Sequence, residues 1–139
     1  MKTYITSSAE ETKEVAKKIA QSFSGGVIAL YGEMGAGKTT FAQGFAQGLK
    51  IEDKIISPTF VLVRQHIIPK TKATFFHIDL YRLDDLESIK NLGINDLLEN
   101  LDNIILIEWA EKAKDLLPKK MTAISIENID INSRRITIA

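Results

Sequence analysis

The sequence predicts an α/β protein in which helices flank a mixed central sheet as a three-layer sandwich. Two short, continuously apolar runs, at 27–31 and 104–107, are typical of strands buried on both faces. Amphipathic segments lie before and after the first run, so helices and strands interleave at the front of the chain. Alternating residues at 122–129 and 134–138 indicate a C-terminal β-hairpin about Asn132 and Ser133.

The first helix is predicted by apolar residues at helical spacing between Thr12 and Phe23. Ser8 followed by Glu11 makes a capping box at its start. Ser24-Gly25-Gly26 ends this segment, and the first buried strand follows directly.

A second helix is predicted after a glycine-rich segment at 32–37, because apolar residues again keep helical spacing from Phe41 to Leu49. Gly44 and Gly48 lie four residues apart on it, which would allow another backbone to approach closely. The local order is therefore strand, glycine loop, helix.

The middle of the chain alternates between strand and helix signals of shorter range. Its turns and breaks are marked by glycine, proline, asparagine and aspartate. The predicted elements are strands at 60–67 and 73–80 joined by a turn at 69–72, helices from Asp84 or Asp85 to Asn91 and from Asn95 or Asp96, and a helix at 111–117 that Pro118 stops.

Length and composition set limits on function. At 139 residues the chain fits one domain, 1–139, without a separate substrate domain. The 18 basic and 18 acidic residues balance, so bulk charge gives no reason to bind nucleic acid. With no cysteine, thiol chemistry is excluded, and no apolar run approaches the roughly 18 residues of a membrane span. We expect a cytoplasmic protein without membrane contact.

The segment Gly-Glu-Met-Gly-Ala-Gly-Lys-Thr at 32–39 matches the phosphate-loop pattern GxxxxGK[ST] in the strand-to-helix context that the motif requires. Its glycines let successive N–H groups turn inward, and the next helix adds its unpaired N–H groups and positive dipole end. Lys38 could then reach the β- and γ-phosphates, and the Thr39 hydroxyl could bind Mg²⁺. The alternative is a glycine-rich turn with a solvated lysine.

Two acidic residues near strand ends are candidates for the magnesium and water chemistry that such a loop needs. Glu108 directly follows the run at 104–107, at the position of a Walker B acid. Asp79 lies near the end of its predicted strand, with His77 and Tyr81 on the same face by alternation. Either acid could instead cap the turn after its strand.

Two further features have both a functional and a structural interpretation. Ser57-Pro58-Thr59 lies about twenty residues past the loop, where many P-loop proteins keep a switch segment, but it also fits an ordinary turn. Trp109 could pack over a nucleotide or simply bury its ring.

Taken together, these fragments resemble one bacterial family, TsaE or YjeE, the ATPase required for threonylcarbamoyladenosine biosynthesis on tRNA. The resemblance covers nearly the whole chain in order, and only the phosphate loop is specific by itself. The segments are Gly-Glu-Met-Gly-Ala-Gly-Lys-Thr-Thr at 32–40, Ser-Pro-Thr-Phe at 57–60, His-Ile-Asp-Leu-Tyr-Arg at 77–82, Leu-Gly at 92–93 and Ile-Glu-Trp at 107–109.

The resemblance implies a P-loop NTPase-like fold that hydrolyses ATP with Mg²⁺. It makes Thr39 and Glu108 the magnesium ligands, Asp79 a group that acts on the water or stands behind the metal ligands, and Ser57, Pro58 and Thr59 a switch-like loop. Lys38, Asp79 and Glu108 are the implied catalytic residues. The implied nucleotide-binding residues are Gly32, Glu33, Met34, Gly35, Ala36, Gly37, Lys38, Thr39, Thr40 and Trp109. The family usually has proline after Glu-Trp, where this chain has Ala110.

The resemblance also implies partners. Family members dock on a dimer of the TsaB and TsaD proteins, where TsaD transfers threonylcarbamoyl to tRNA and ATP hydrolysis supports turnover. Contact with tRNA would then be mainly indirect, consistent with the balanced charge. The isolated chain is expected to be a slow ATPase.

Three rival functions stay open at this point. A small-molecule kinase would usually carry an arginine-bearing lid, and this chain has no obvious lid insertion. A GTP switch would carry an NKxD sequence, which is absent. A binding module could hold nucleotide without hydrolysing it. The arginines are Arg64, Arg82, Arg134 and Arg135.

Overall fold

The computed structural model describes residues 2–33, 35–52 and 63–139, and for Leu98 the backbone only. The described residues form a seven-stranded sheet with helices on both faces. The elements are β1 (Lys2–Thr6), α1 (Ala9–Gln21), β2 (Gly26–Tyr31), α2 (Lys38–Gly48), β3 (Val63–Ile67), β4 (Thr74–Asp79), α3 (Leu86–Lys90), α4 (Ile94–Glu99), β5 (Ile104–Glu108), a 3₁₀ segment (Ala110–Leu116), β6 (Thr122–Asn128) and β7 (Arg134–Ile138).

The sheet is mixed, with the order β1-β7-β6-β2-β5-β4-β3. Four neighbouring strands, β6, β2, β5 and β4, run parallel, and antiparallel strands close both edges. In the parallel register Leu30 pairs with Glu108, and Glu108 pairs with Asp79. The carboxyl ends of β2, β5 and β4 therefore meet at one edge, and the loop that leaves β2 starts beside both acids.

One face of the sheet is covered by α1 and α2, and the other by α3, α4 and the 3₁₀ segment. The buried ring of Phe45 on α2 connects the first layer to the sheet: its centroid lies 5.7 Å from Phe75 on β4, 6.0 Å from Phe23 and 6.3 Å from Phe41. Burial of such rings is among the largest apolar contributions a side chain can make. This packing holds α2, and with it the glycine loop, against β4.

The predicted fold class is confirmed, as are α1, α2, the buried strands β2 and β5 and the C-terminal hairpin. The Ser8 hydroxyl caps α1 by accepting a hydrogen bond from Glu11 N at 3.1 Å. Of the predicted strand at 60–67, residues 60–62 lie outside the described residues. In the described ranges, every helix is too short or too polar to span a bilayer.

Three elements differ from the sequence prediction. The strand β1 is not predicted, because only one of its residues, Thr6, is buried and it has no apolar pattern of its own. It forms by pairing with β7 at the sheet edge. The helix predicted at 111–117 is a 3₁₀ segment that kinks at Ala113. Helix α4 begins at Ile94, because Gly93 takes the left-handed conformation directly before it.

Gly44 and Gly48 allow the close approach of α1 to α2 that their spacing predicts. A Cβ at position 44 would lie 2.5 Å from Lys13 Cα, and one at 48 would lie 2.6 Å from Lys17 O. These are backbone atoms of α1, so neither contact can be relieved by a side-chain rotation. The two glycines therefore set the distance between the helices.

We predict that Gly44→Ala destabilises the protein by about 1–3 kcal/mol, as overpacked cores do. Intrinsic helix propensity alone would predict the opposite, a gain of about 1 kcal/mol. Urea denaturation followed by circular dichroism measures the sign. Gln47→Ala, at an exposed position of the same helix, is the control and should change stability by less than about 0.5 kcal/mol. A stabilised Gly44→Ala variant would contradict the packing described above.

Candidate nucleotide site

The glycine loop turns from β2 into α2 through residues with backbone angles that favour glycine. Gly35 has φ 80° and Gly37, the N-cap of α2, has φ 102°. Phe41 N bonds to Gly37 O at 2.9 Å, so the helix starts immediately after the loop. Within the described structure no side chain caps this helix. Its first N–H groups and the positive end of its dipole are therefore available to an anion.

Lys38 is not a solvated lysine: only 6% of the residue is exposed. Its ammonium donates hydrogen bonds to the carbonyls of Gly32 and, at 3.4 Å, Glu33, both in its own loop. Nζ also lies 4.0 Å from the centroid of the Trp109 ring. Burial lowers the pKa of the Lys38 ammonium, and the carboxylate of Glu108 opposes this most strongly among nearby acids.

The carboxylates of Asp79 and Glu108 lie beside each other at the ends of β4 and β5, and are 5% and 2% exposed. Glu108 Oε2 accepts a hydrogen bond from His77 Nε2 at 2.5 Å. Asp79 Oδ1 accepts from Tyr81 N at 2.9 Å, so it caps a turn as well as facing the site. Burial raises the pKa of the Asp79 carboxyl, the Tyr81 N–H hydrogen bond opposes this, and the Glu108 carboxylate adds to it.

These groups share one cleft with a volume of about 510 Å³, within the range of small-molecule sites. It brings the start of α2 opposite the two acids. In the described part of the chain no cluster of three or more His, Cys, Asp or Glu could hold a metal by protein groups alone. The cleft is lined by Gly35, Gly37, Lys38, Thr39, Thr40, Asp79, Tyr81, Glu108, Trp109 and Arg134.

Trp109 forms an aromatic wall of the cleft rather than a core contact alone. It adopts φ 57° and ψ 42°, an uncommon conformation for a large side chain that costs of order 1–3 kcal/mol. Its ring packs on Tyr81 at a centroid distance of 5.2 Å, and Lys112 Nζ donates to Tyr81 O at 2.5 Å. Ala110 follows it, fully buried at the first position of the 3₁₀ segment.

Arg134 joins the site although the spacing of sequence motifs does not point to it. It begins β7, yet its Nε donates to Ala36 O at 3.1 Å and its Nη2 lies 3.5 Å from Gly35 O. The guanidinium also donates to Asp130 O and Ser133 O in the hairpin turn, at 3.1 and 3.0 Å. The arginine therefore ties the glycine loop to the C-terminal hairpin. Only the strand order β7-β6-β2 brings these segments together.

The remaining predicted site residues fall into two groups. Gly32, Glu33 and Ala36 line a neighbouring pocket of about 400 Å³ beside β6, where Glu33 is exposed. The carbonyls of Gly32 and Glu33 still contact Lys38. Met34, Ser57, Pro58 and Thr59 lie outside the described residues.

The fold, with its buried lysine and left-handed glycines between β2 and α2, defines a P-loop NTPase-like α/β protein. The family model for "Threonylcarbamoyl adenosine biosynthesis protein TsaE" matches residues 6–136. The chain therefore belongs to the TsaE family of tRNA threonylcarbamoyladenosine biosynthesis.

Individual relatives agree with this family. The TsaE protein of Bacillus subtilis is 37% identical over 132 residues, 92% of this chain and 78% of the relative. That of Aquifex aeolicus is 36% identical over 143 residues, covering 99% of this chain and 96% of the relative. The crystal structure of Bacillus subtilis YdiB matches with a TM-score of 0.82 and 30% identity, covering 99% of this chain and 83% of that one.

We predict that Arg134→Met loosens the glycine loop without unfolding the protein. A hydrogen bond from a charged donor contributes about 1.5–3 kcal/mol, so the amides of Ala36 and Phe41 should exchange about tenfold faster or more. Hydrogen exchange followed by NMR measures this. Arg135→Met is the control, because Arg135 pairs with Glu127 at 3.8 Å on the surface, away from the glycine loop. Equal effects of the two substitutions would contradict the role given to Arg134.

We predict that Asp79→Asn stabilises the ligand-free protein at pH 7. Because the folded-state pKa of Asp79 is raised, its contribution to the free energy of unfolding falls as pH rises from the ordinary value of 3.8 through the raised one. Asparagine removes the buried charge, and its Oδ1 can still accept from Tyr81 N. Urea denaturation in EDTA at several pH values should show a gain at pH 7 that shrinks towards pH 4.

Asp130→Asn is a control for which we expect the opposite change in the free energy of unfolding. Backbone hydrogen bonds from Asn132 and Ser133 lower the pKa of Asp130, so its ionised form stabilises the fold above pH 3.8 and that stabilisation is lost as pH falls. The substitution should destabilise at pH 7. An Asp79→Asn variant that is less stable than the parent at pH 7 would contradict the assigned environment.

Proposed function

We propose that the chain binds ATP with Mg²⁺ and hydrolyses it to ADP and phosphate in the cleft at the start of α2. One observation carries the proposal: a buried lysine and an uncapped helix N-terminus face two buried strand-end carboxylates across one cleft. The lysine and the helix N-terminus suit phosphate oxygens, and the two carboxylates suit a metal ion and a water molecule. The cleft thus contains each kind of group that phosphoryl transfer to water requires.

The phosphate chain would bind at the first turn of α2. The N–H groups of Lys38, Thr39 and Thr40 would donate to the phosphate oxygens, aided by the helix dipole. Lys38 would exchange its hydrogen bonds to the Gly32 and Glu33 carbonyls for bonds to the β- and γ-phosphates. The Trp109 ring would cover the same region and limit access of bulk water.

The donor set fits Mg²⁺ carried in with the nucleotide. Protein sites for this ion usually supply one or two carboxylates, with phosphates and waters completing the octahedron. The Thr39 hydroxyl and Glu108 would hold the ion, and Asp79 would take the water or a position behind the ligands. When bound, Mg²⁺ neutralises charge on the phosphate oxygens.

Asp79 is the group best suited to orient the attacking water. Burial raises the pKa of its carboxyl, which brings its basicity closer to that needed for accepting a proton near neutral pH. One oxygen is fixed by Tyr81 N at 2.9 Å, so the carboxylate has a defined direction. Glu108 would therefore bind the metal, and Asp79 would orient the water.

We place this activity in support of the TsaB and TsaD proteins, which would carry out threonylcarbamoyl transfer to tRNA. The balanced charge of 18 basic and 18 acidic residues favours contact with proteins over direct contact with the tRNA backbone. We expect the isolated chain to be a slow ATPase whose site is completed by its partners. We expect the protein to act in the cytoplasm.

We predict that Lys38→Ala weakens ADP binding at least tenfold, because it removes a buried charge from the phosphate site. Glu108→Gln and Asp79→Ala should lower kcat by about a hundredfold or more, while ADP binding in EDTA changes little. Calorimetry and phosphate release measure the two effects. The exposed substitutions Lys119→Ala and Glu99→Gln are matched controls.

Unchanged ATP turnover in Glu108→Gln and Asp79→Ala would contradict hydrolysis and favour a nucleotide-binding module. Transfer of labelled phosphate to a metabolite would instead indicate a kinase. Reconstitution with TsaB, TsaD and tRNA tests the pathway role: without this chain, modification should stop after few turnovers. Sustained multiple turnover in its absence would contradict the role.

A further inference from the structure

His77 forms a hydrogen bond of 2.5 Å with Glu108, and the function proposed above does not use it. The two side chains come from neighbouring parallel strands and are 31 residues apart in sequence. His77 is fully buried and Glu108 is 2% exposed, so the hydrogen bond is shielded from water. Interactions of a carboxylate in such a medium are stronger than at the surface.

The chemistry of a carboxylate assigns the proton of this hydrogen bond to the histidine. An ionised carboxylate only accepts hydrogen bonds, so Nε2 of His77 donates to Oε2 of Glu108. Nδ1 of His77 is buried and has no hydrogen-bond partner among the described residues. The imidazole thus has its one described polar contact at Glu108.

The ring of His77 is held in place by an aromatic neighbour on its own strand. Phe75, two residues earlier on the same face of β4, stacks against it with centroids 6.3 Å apart and an interplanar angle of 18°. Phe75 is itself fully buried and packs on Phe45 of α2. The aromatic core of the first layer therefore orients the imidazole, and the imidazole contacts the acid at the cleft.

We propose that His77 is a positioning residue for Glu108. By occupying Oε2, it sets the rotation of the carboxylate so that the other oxygen faces the cleft and Thr39. The inference rests on the proposed binding of Mg²⁺ with nucleotide. Carboxylates that bind metals are themselves hydrogen-bonded by neighbouring groups, and loss of such a partner typically lowers metal affinity or activity 10- to 100-fold.

Without His77, Oε2 of Glu108 would be buried without its donor. Lys38 is a cation at this edge of the sheet, and its charge already interacts with Glu108. The carboxylate would be free to turn towards that ammonium and out of the position from which it would bind the metal, while Lys38 keeps its place at the phosphate site. Metal-dependent binding should then suffer more than binding of the nucleotide alone.

The test compares ADP affinity with saturating Mg²⁺ and with EDTA, measured by calorimetry on folded variants. In His77→Phe, which retains a ring but removes the donor, the enhancement of ADP affinity by Mg²⁺ should fall about tenfold. Affinity in EDTA should stay within about twofold of the parent. His77→Gln, whose amide N–H can reach the same position, should restore most of the enhancement.

Ile78→Val is the control for general loosening, because Ile78 is fully buried on the opposite face of the same strand. It should leave the enhancement by Mg²⁺ unchanged. An enhancement in His77→Phe equal to that of the parent, or an equal loss of affinity with and without Mg²⁺, would overturn the proposal. Failure of the parent to bind ADP at all would instead overturn the proposed function.

A second measurement stays decisive if His77→Phe does not fold. In the parent protein, ¹⁵N-correlated NMR of the histidine side chain should show a slowly exchanging Nε2–H whose proton shift moves in Glu108→Gln. An unprotonated Nε2, or an Nε2–H whose proton shift does not change in Glu108→Gln, would overturn the proposal. The result depends on neither nucleotide nor metal.

Discussion

The site depends on the burial of one ammonium and two carboxylates at a single sheet edge. Lys38, Asp79 and Glu108 are each no more than 6% exposed. Buried charges are tolerated only when they are paired or hydrogen-bonded. Here the loop carbonyls, the Trp109 ring, the Tyr81 N–H and the His77 imidazole provide those contacts. When all three are ionised, their net charge is −1. This charge favours the binding of a cation together with the nucleotide.

The rest of the fold maintains that arrangement. The parallel register of β2, β5 and β4 sets the two acids side by side, and the close packing of α1 on α2 through Gly44 and Gly48 fixes where the loop helix begins. At the other end, Arg134 ties the loop to the C-terminal hairpin. The strand register, the packing of the two helices and the contact with the C-terminal hairpin thus all hold the site in place.

The buried strands, α1, α2 and the terminal hairpin could be predicted because their apolar periodicity is local and strong. Lys38, Asp79 and Glu108 could be predicted from a motif and from strand ends. Arg134 could not, because its contact with Ala36 depends on the strand order across the sheet. The same is true of β1, whose pairing with β7 supplies what its own pattern lacks, and of the His77–Glu108 hydrogen bond, which needs the register of β4 on β5.

In the function proposed here, the start of α2 and the strand-end acids form one site for a metal–nucleotide complex. A crystal structure with ADP and Mg²⁺ would decide whether they do. We expect the β-phosphate at the first turn of α2, Lys38 Nζ moved from the Gly32 carbonyl to a phosphate oxygen, and the metal between Thr39 and Glu108. Nucleotide bound elsewhere, with Lys38 still on the Gly32 carbonyl, would contradict the claim.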